Sequence, residues 1–337
     1  MIHQHSQARV GLIGAGTVGA SLLQLLARYP HLEITGVVVQ SLDKERPEHV
    51  MRAPLTTDAE SVIDASDVVV ELAGGTGEAY MWIQKALSAG KRVVTANKAA
   101  LAQHWDDLEP YIREGRLYFE ASVMAGVPVL ASANMLRGNR PSEIHAALNG
   151  TCAMILMLMG QGQSFIDAVS AAQSRGFAEA DPSLDTNGID AAHKLTILGR
   201  MLVDPDFRFE VVLDRTHGLH RVEQDIVFAH TQGGERAQLV GSIMEIEGEW
   251  QPIVRPVLLR PSDPIFVGDP LDGVFAYIGD EGTVVMHGAG AGGPETASGV
   301  LSDLLLATQG ARGPVPLYER VEPRNAERPK YILPSLV

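Results

Sequence analysis

The chain has 337 residues, 45% hydrophobic and 20% charged, which is enough for about two domains on the usual scale of ~100–200 residues each. A net charge of −14 argues against a large phosphate-binding footprint, and a single cysteine, Cys152, excludes an internal disulfide framework and a thiolate metal cluster. No basic region followed by an apolar stretch opens the sequence, and its longest apolar run, residues 152–159, is far short of the ~20 residues of a membrane span, so a cytoplasmic protein with no membrane or nucleic-acid partner is expected.

Residues 9–13 (RVGLI) read as a strand buried on both faces. Gly14-Ala15-Gly16-Thr17-Val18-Gly19 follows, then a helix over 21–28 and a second strand over 34–39. Residues 68–72 (VVVEL) form a strand ending at Ala73-Gly74-Gly75, residues 92–95 a strand ending at Ala96-Asn97-Lys98, and residues 117–121 (LYFEA) another. Helical stretches such as 78–88 lie between them, so βαβ units and a parallel sheet are expected. The pattern changes near residue 135, and the Gly/Pro/Arg-rich stretch 137–141 marks a boundary. Beyond it, 144–148 reads as a strand and 152–159, 166–173 and 191–203 as helices. Strand-like runs follow at 222–230, 237–247 and 254–259, then an amphipathic helix at 296–307 and an irregular tail beyond Gly313. The expectation is an α/β chain: a Rossmann-type parallel sheet over 1–135, a second α+β domain over 136–292, and a C-terminal helix plus tail over 293–337.

Gly14, Gly16 and Gly19 have the spacing of a dinucleotide-binding turn, and here the motif directly follows a strand and opens a helix. Gly14 permits the tight turn, Gly16 lets a pyrophosphate approach the backbone, and Gly19 lets helix and strand pack closely, while the helix start offers N–H groups to phosphate. No carboxylate stands at the end of the second strand, where Gln40 and Ser41 lie. Lys44 and Arg46 just beyond could meet a 2′-phosphate, which favours NADP over NAD; on their own they also fit a solvated loop.

Lys98 follows a strand's carboxyl end, where the ligand crevice of an open α/β sheet lies. Asp190 and Lys194 are four apart on a helix, and Lys194 borders the apolar stripe of Leu195, Leu198 and Leu202. A partly buried lysine beside a carboxylate suits a positioned acid; the same residues fit an exposed helix pair worth about 0.3–0.5 kcal/mol. Glu179, Asp181 and Asp185 sit in a Gly/Pro/Ser-punctuated loop and could bind a substrate ammonium, or be a solvated acidic loop. Asn149-Gly150-Thr151 could present N–H groups to a carboxylate, or simply cap a helix.

Six segments in this order resemble homoserine dehydrogenases: GLIGAGTVG, VVTANKA, YFEASVMAGVPV, LNGT, AQSRGFAEADPSLDTNGIDAAHK and GAGAGGPETASGVLSDL. The resemblance implies NAD(P)-dependent interconversion of L-homoserine and L-aspartate 4-semialdehyde, in threonine, methionine and isoleucine biosynthesis, by a homodimer. It implies that Lys194 is the general acid/base, Lys98 a second active-site lysine and Asp190 their positioning carboxylate. Substrate would meet Glu179, Asp185, Gly150 and Thr151, and cofactor Gly14, Gly16, Thr17, Val18, Gly19, Gly74, Thr95, Lys98 and Gly290. A structural monovalent cation, sodium in most members, would take Glu120 and the carbonyls of Val123, Ala125 and Val127, an all-oxygen set suited to a hard ion. Cys152 reads as a small buried hydrophobe rather than a nucleophile. Ala153-Met154 replaces the family's usual Asn and aromatic, Phe177 a common tyrosine, and Gln40 the arginine of many NADP-using members; these changes leave a shifted substrate preference open. A form without the regulatory ACT domain or an aspartate kinase module is expected, hence no threonine feedback through such a domain.

Overall fold

A computed structural model describes residues 7–317, 321–322, 329, 331 and 333–337. The chain divides into two compact units, one made of residues up to 131 with 292–315, the other of 132–291 with the described residues from 316 on.

The first unit carries six parallel strands: β1 (Ala8–Ile13), β2 (Leu32–Val38), β3 (Leu55–Thr56), β4 (Val68–Glu71), β5 (Arg92–Thr95) and β6 (Leu117–Tyr118). Their spatial order is 3-2-1-4-5-6, so the chain reverses its direction of travel between β1 and β4. A ligand crevice forms outside the strand ends at such a reversal. Helices on both faces explain why β1 and β4 are nearly all apolar: neither face meets water. The helix Gly293–Thr308 returns to this unit, where Ala297, Val300, Leu301, Leu304 and Ala307 join the core with Val10, Leu12, Val70 and Val94.

The second unit holds five antiparallel strands in the order β11-β10-β7-β8-β9, with β7 (Pro141–Ala147), β8 (Arg236–Ile246), β9 (Glu249–Leu259), β10 (Gly273–Gly279) and β11 (Gly282–Gly288). The helices Gly150–Gly160 and Ile189–Leu202 pack on this sheet and are buried along nearly their whole length. The parallel and antiparallel sheet types agree with the sequence reading, and five of the six parallel strands and three of the five antiparallel ones fall in the runs it gives; β3 is not among them. Two segments depart from it. Residues 222–230 were expected as a strand, but the chain forms the helix Gln224–Gln232. The inward positions Gln224, Val227 and Thr231 are three and four apart, the helical period, while Ile226 and Phe228 are 38% and 41% exposed and Asp225 favours the first turn. The strand expected over 117–121 stops at Tyr118, because Glu120 takes helical angles and leads into the turn Ala121–Met124. The hairpin of β10 and β11 was not anticipated. Among the described residues past 313 no helix or strand forms; Ser335 makes an isolated antiparallel bridge to Val257, and Leu258 and Leu336 bond to Pro334 and Pro256 across it. Among the described residues no helix is long and apolar enough to cross a membrane.

Candidate active site

In the first unit the glycine turn lies at the end of β1. Gly14 has φ +101°, a conformation costly for any residue with a Cβ, and a Cβ there would come within 2.7 Å of Ala73 N at the end of β4. A Cβ on Gly19 would stand 2.2 Å from Gly14 O, so this glycine sets how closely helix and strand approach. Around Gly16 the space is open for 4 Å. No side chain caps the helix Thr17–Leu26, and the N–H groups of Thr17 and Val18 precede its first bond, from Ala20 N–H to Gly16 O. An exposed, glycine-floored helix start of this kind fits a pyrophosphate. Gly74 and Gly75, after β4, are also exposed and also open for 4 Å.

Lys98 is the first residue of the helix Lys98–Gln103, half-buried, behind Asn97, whose side chain accepts from Ala100 N–H at 3.1 Å. Thr95, directly upstream, is fully buried. In the loop after β2, the Arg46 guanidinium donates to Ser41 O at 2.7 Å and Lys44 O at 2.8 Å. Gly290 lies in the irregular link between β11 and the helix Gly293–Thr308.

The expected cation ligands fall in one turn of the same unit. Glu120 is buried and accepts from Leu130 N–H at 2.8 Å and Ala131 N–H at 2.5 Å. Burial pushes its carboxyl up to about 7, and no cationic side chain among the described residues pairs with it. Val123 and Ala125 are buried, Val127 is half-buried, and Ala125 takes φ +51°. The Glu120 N–H is accepted by Asp303 at 2.8 Å, whose carboxyl burial pushes up to about 8. A buried carboxyl with only neutral donors around it fits a monovalent cation.

In the second unit, the helix Ile189–Leu202 starts after Gly188, whose φ of +82° turns the chain into it against Thr216. Lys194 and Asp190 are 7% and 8% exposed and pair at 3.0 Å. Lys194 Nζ also donates to Leu148 O at 2.5 Å. The exposed-pair alternative is thereby excluded: this is a buried cation held between a carboxylate and a carbonyl. Asn149 Nδ2 donates to Asp185 at 2.7 Å and to Asp190 at 2.9 Å, while its Oδ1 accepts from Cys152 N–H at 2.7 Å. Burial, opposed by the Asn149 bond and reinforced by the Asp190 charge, pushes the Asp185 carboxyl up. Thr151 Oγ1 donates to Phe177 O at 2.7 Å, and the N–H groups of Gly150 and Thr151 precede the first helical bond, from Ala153 N–H to Asn149 O. Burial pushes the Cys152 thiol well up, and its Sγ donates to Asp185 O at 3.2 Å, so it is no nucleophile. Glu179 is exposed, and its carbonyl accepts from Gln173 Nε2 at 3.0 Å.

The structure thus gathers Asp185, Asp190, Lys194, Gly150 and Thr151 in one unit, and Gly14, Gly16, Thr17, Val18, Gly19, Gly74, Thr95 and Lys98 along the strand ends of the other. Asn149, which joins the two aspartates, was read only as a possible cap. Glu71, buried at the end of β4, was not singled out, although a carboxylate closing an all-valine run was a visible signal.

Two family models match the chain: "Homoserine dehydrogenase, NAD binding domain" over residues 14–120 and "Homoserine dehydrogenase" over residues 128–305. The homoserine dehydrogenase of Bacillus subtilis is 32% identical over 320 residues, covering 90% of this chain and 73% of its own. That of Sulfurisphaera tokodaii is 30% identical, covering 88% of this chain and 97% of its own. The crystal structure of a homoserine dehydrogenase from Thiobacillus denitrificans superposes with a TM-score of 0.83 at 33% identity, covering 90% of this chain and 73% of that one. On this evidence the chain belongs to the homoserine dehydrogenase family of NAD(P)-dependent oxidoreductases.

Proposed function

We propose that the chain interconverts L-homoserine and L-aspartate 4-semialdehyde with Lys194 as general acid/base. The buried Asn149–Asp185–Asp190–Lys194 cluster carries this reading. Asp190 and the Leu148 carbonyl hold the Lys194 ammonium in one orientation. In the reducing direction Lys194 gives a proton to the oxygen of the aldehyde as charge develops there; in the oxidising direction it takes the hydroxyl proton. The N–H groups of Gly150 and Thr151 receive the substrate carboxylate. Asp185 and Glu179 receive its ammonium. By the family resemblance Lys98 is a second active-site lysine.

The bound nicotinamide supplies or accepts the hydride. Gly14, Gly16, Thr17, Val18 and Gly19 bind its pyrophosphate, with Gly74, Thr95, Lys98 and Gly290 as further contacts. Lys44, together with an Arg46 that braces the 41–46 loop, supports NADP as the preferred form. A monovalent cation, sodium by resemblance, is held by the Glu120 carboxylate and the carbonyls of Val123, Ala125 and Val127, and stiffens that turn. The homodimer, the cytoplasmic setting and the place in threonine, methionine and isoleucine biosynthesis rest on the family resemblance.

Absorbance of the reduced nicotinamide tests the reading. L-homoserine with NADP, then NAD, at mildly alkaline pH should make the band grow and rank the cofactors. Lys194→Ala should lower kcat by about 10²–10⁴-fold, the usual worth of a positioned proton-transfer group, with cofactor Kd unchanged. A flat trace from folded, cofactor-bound wild type would sink the substrate assignment, and an equal loss of cofactor affinity in the variant would sink the proton-transfer role.

A further inference from the structure

Glu71 ends β4 after three valines and is fully buried. A carboxylate in such a place is costly unless its lone pairs are filled. Here they are filled from two different strand ends. Oε1 accepts from Ala73 N–H at 2.8 Å and Gly74 N–H at 2.9 Å, in the turn after β4 itself. Oε2 accepts from Thr95 Oγ1 at 2.8 Å, at the end of the neighbouring β5. The chain of bonds continues. Thr95 Oγ1 accepts from Asn97 N–H at 2.9 Å, and Asn97 Nδ2 reaches back to Gly75 O at 2.7 Å. Asn97 Oδ1 then caps the helix that Lys98 begins. One carboxylate closes a ring that runs from the Gly74–Gly75 turn through Thr95 and Asn97 and back.

We propose that Glu71 is a positioning residue of the reaction: through this ring it fixes the Gly74–Gly75 turn against the dinucleotide and, by its Thr95–Asn97 arm, the placement of Lys98. This rests on the cofactor and lysine roles proposed above. The two arms end on different groups, so the two functions separate. The Ala73 and Gly74 bonds shape the surface a cofactor meets. The Thr95 bond sets where the helix of Lys98 starts. If Glu71 only filled the core, its loss would cost stability, and kcat per total protein would fall with the folded fraction while Kd held.

Thr95→Val is the sharpest test, because it swaps a buried hydroxyl for a methyl and cuts only the second arm. The kcat for homoserine should fall about tenfold or more, and by more than the dinucleotide Kd, read by titration calorimetry, rises, in protein shown to be folded at the assay temperature by circular dichroism; the bond lost to a buried carboxylate should lower the melting temperature by a few °C. Glu71→Gln should keep the first arm and weaken the second. Its amide oxygen keeps the Ala73 and Gly74 bonds, so dinucleotide Kd should hold within about threefold, while its amide nitrogen must donate where Oε2 accepted and leaves the Thr95 hydroxyl hydrogen without its acceptor, so that part of kcat is lost. Glu71→Ala loses both arms, and Kd should rise about tenfold in protein shown to be folded by circular dichroism. The proposal is overturned if Thr95→Val leaves kcat within twofold, if kcat falls only in step with the folded fraction, or if Glu71→Gln is as impaired as Glu71→Ala. Should wild type fail to turn over homoserine, that failure belongs to the substrate assignment. The calorimetric comparison of Glu71→Ala with Glu71→Gln then decides alone: a difference below twofold overturns the role of Glu71.

Discussion

Replacing Asn149 by aspartate should make the second unit sensitive to pH. The cap on the helix Gly150–Gly160 survives, since Asp serves an N-cap as well as Asn does. The two bonds donated to Asp185 and Asp190 become contacts between carboxylates. Each lost bond to a charged acceptor is worth about 1.5–3 kcal/mol. Two like charges ~4 Å apart add a repulsion of about 4 kcal/mol at an effective dielectric of ~20. The cheapest relief is a proton on the new carboxyl, which restores one donor. Raising that carboxyl from ~3.9 to between ~6 and ~7 limits the cost to about 3–4 kcal/mol, at about 1.4 kcal/mol per unit. The folded variant then holds a proton that the unfolded chain has released, so stability is lost as pH rises from ~4 to ~7. Urea denaturation of wild type and Asn149→Asp at pH 5 and pH 8 reads this directly. With the one bond that stays lost added to the cost of the proton, the expected deficit is about 3–4.5 kcal/mol at pH 5 and about 4.5–7 kcal/mol at pH 8. A variant within ~1 kcal/mol of wild type at both pH values would refute the argument, because one lost bond to a charged group already exceeds that.

Gly16→Ala and Gly19→Ala should part company. With open space around Gly16, its variant should melt near wild type yet bind dinucleotide at least about tenfold more weakly, one lost contact of ~1.4 kcal/mol, by calorimetric titration; Gly19→Ala, pressed on Gly14 O, should lose about 1–3 kcal/mol of stability. The reverse ranking would contradict the reading of the turn. Burial raises the Glu120 and Asp303 carboxyls to about 7 and about 8, above their unfolded values, so the folded chain binds extra protons and loses stability as pH climbs from ~4 to those values. With tetramethylammonium as the only cation at pH 8, replacing it by sodium at equal ionic strength should raise the melting temperature by several °C, and Glu120→Gln should abolish the difference. Identical melting in the two salts would remove the cation from the site.

The first unit was legible because its signals are local. A buried strand, a glycine turn and a helix start lie within about a dozen residues, and each forces the next. Lys194 and Asp190 were legible for the same reason, being one helical turn apart. Asn149 was not. Its bonds to Asp185 and Asp190 span 36 and 41 residues, and nothing in LNGT distinguishes a cap from a cap that also bridges two carboxylates. Residues 222–230 misled because a mixed apolar run fits both periods until burial shows which side chains turn inward. β10 is buried at all seven positions and so lacks the alternation that marks a half-exposed strand.

The helix Gly293–Thr308 has a consequence for how the molecule is made. Its Val300, Leu304 and Ala307 complete the core begun by Val10 and Leu12, yet 132–291, a whole unit, lies between. A ribosome delivers residues in order, at roughly 5–20 per second, so the nascent nucleotide-binding half waits on the order of ten to thirty seconds for its last layer. During that interval its sheet exposes apolar surface that the finished protein hides. The second unit, begun later, has its whole sheet on hand first. The half that is translated first therefore waits longest between its first layers and its last, and it is the half in which a chaperone would find its grip.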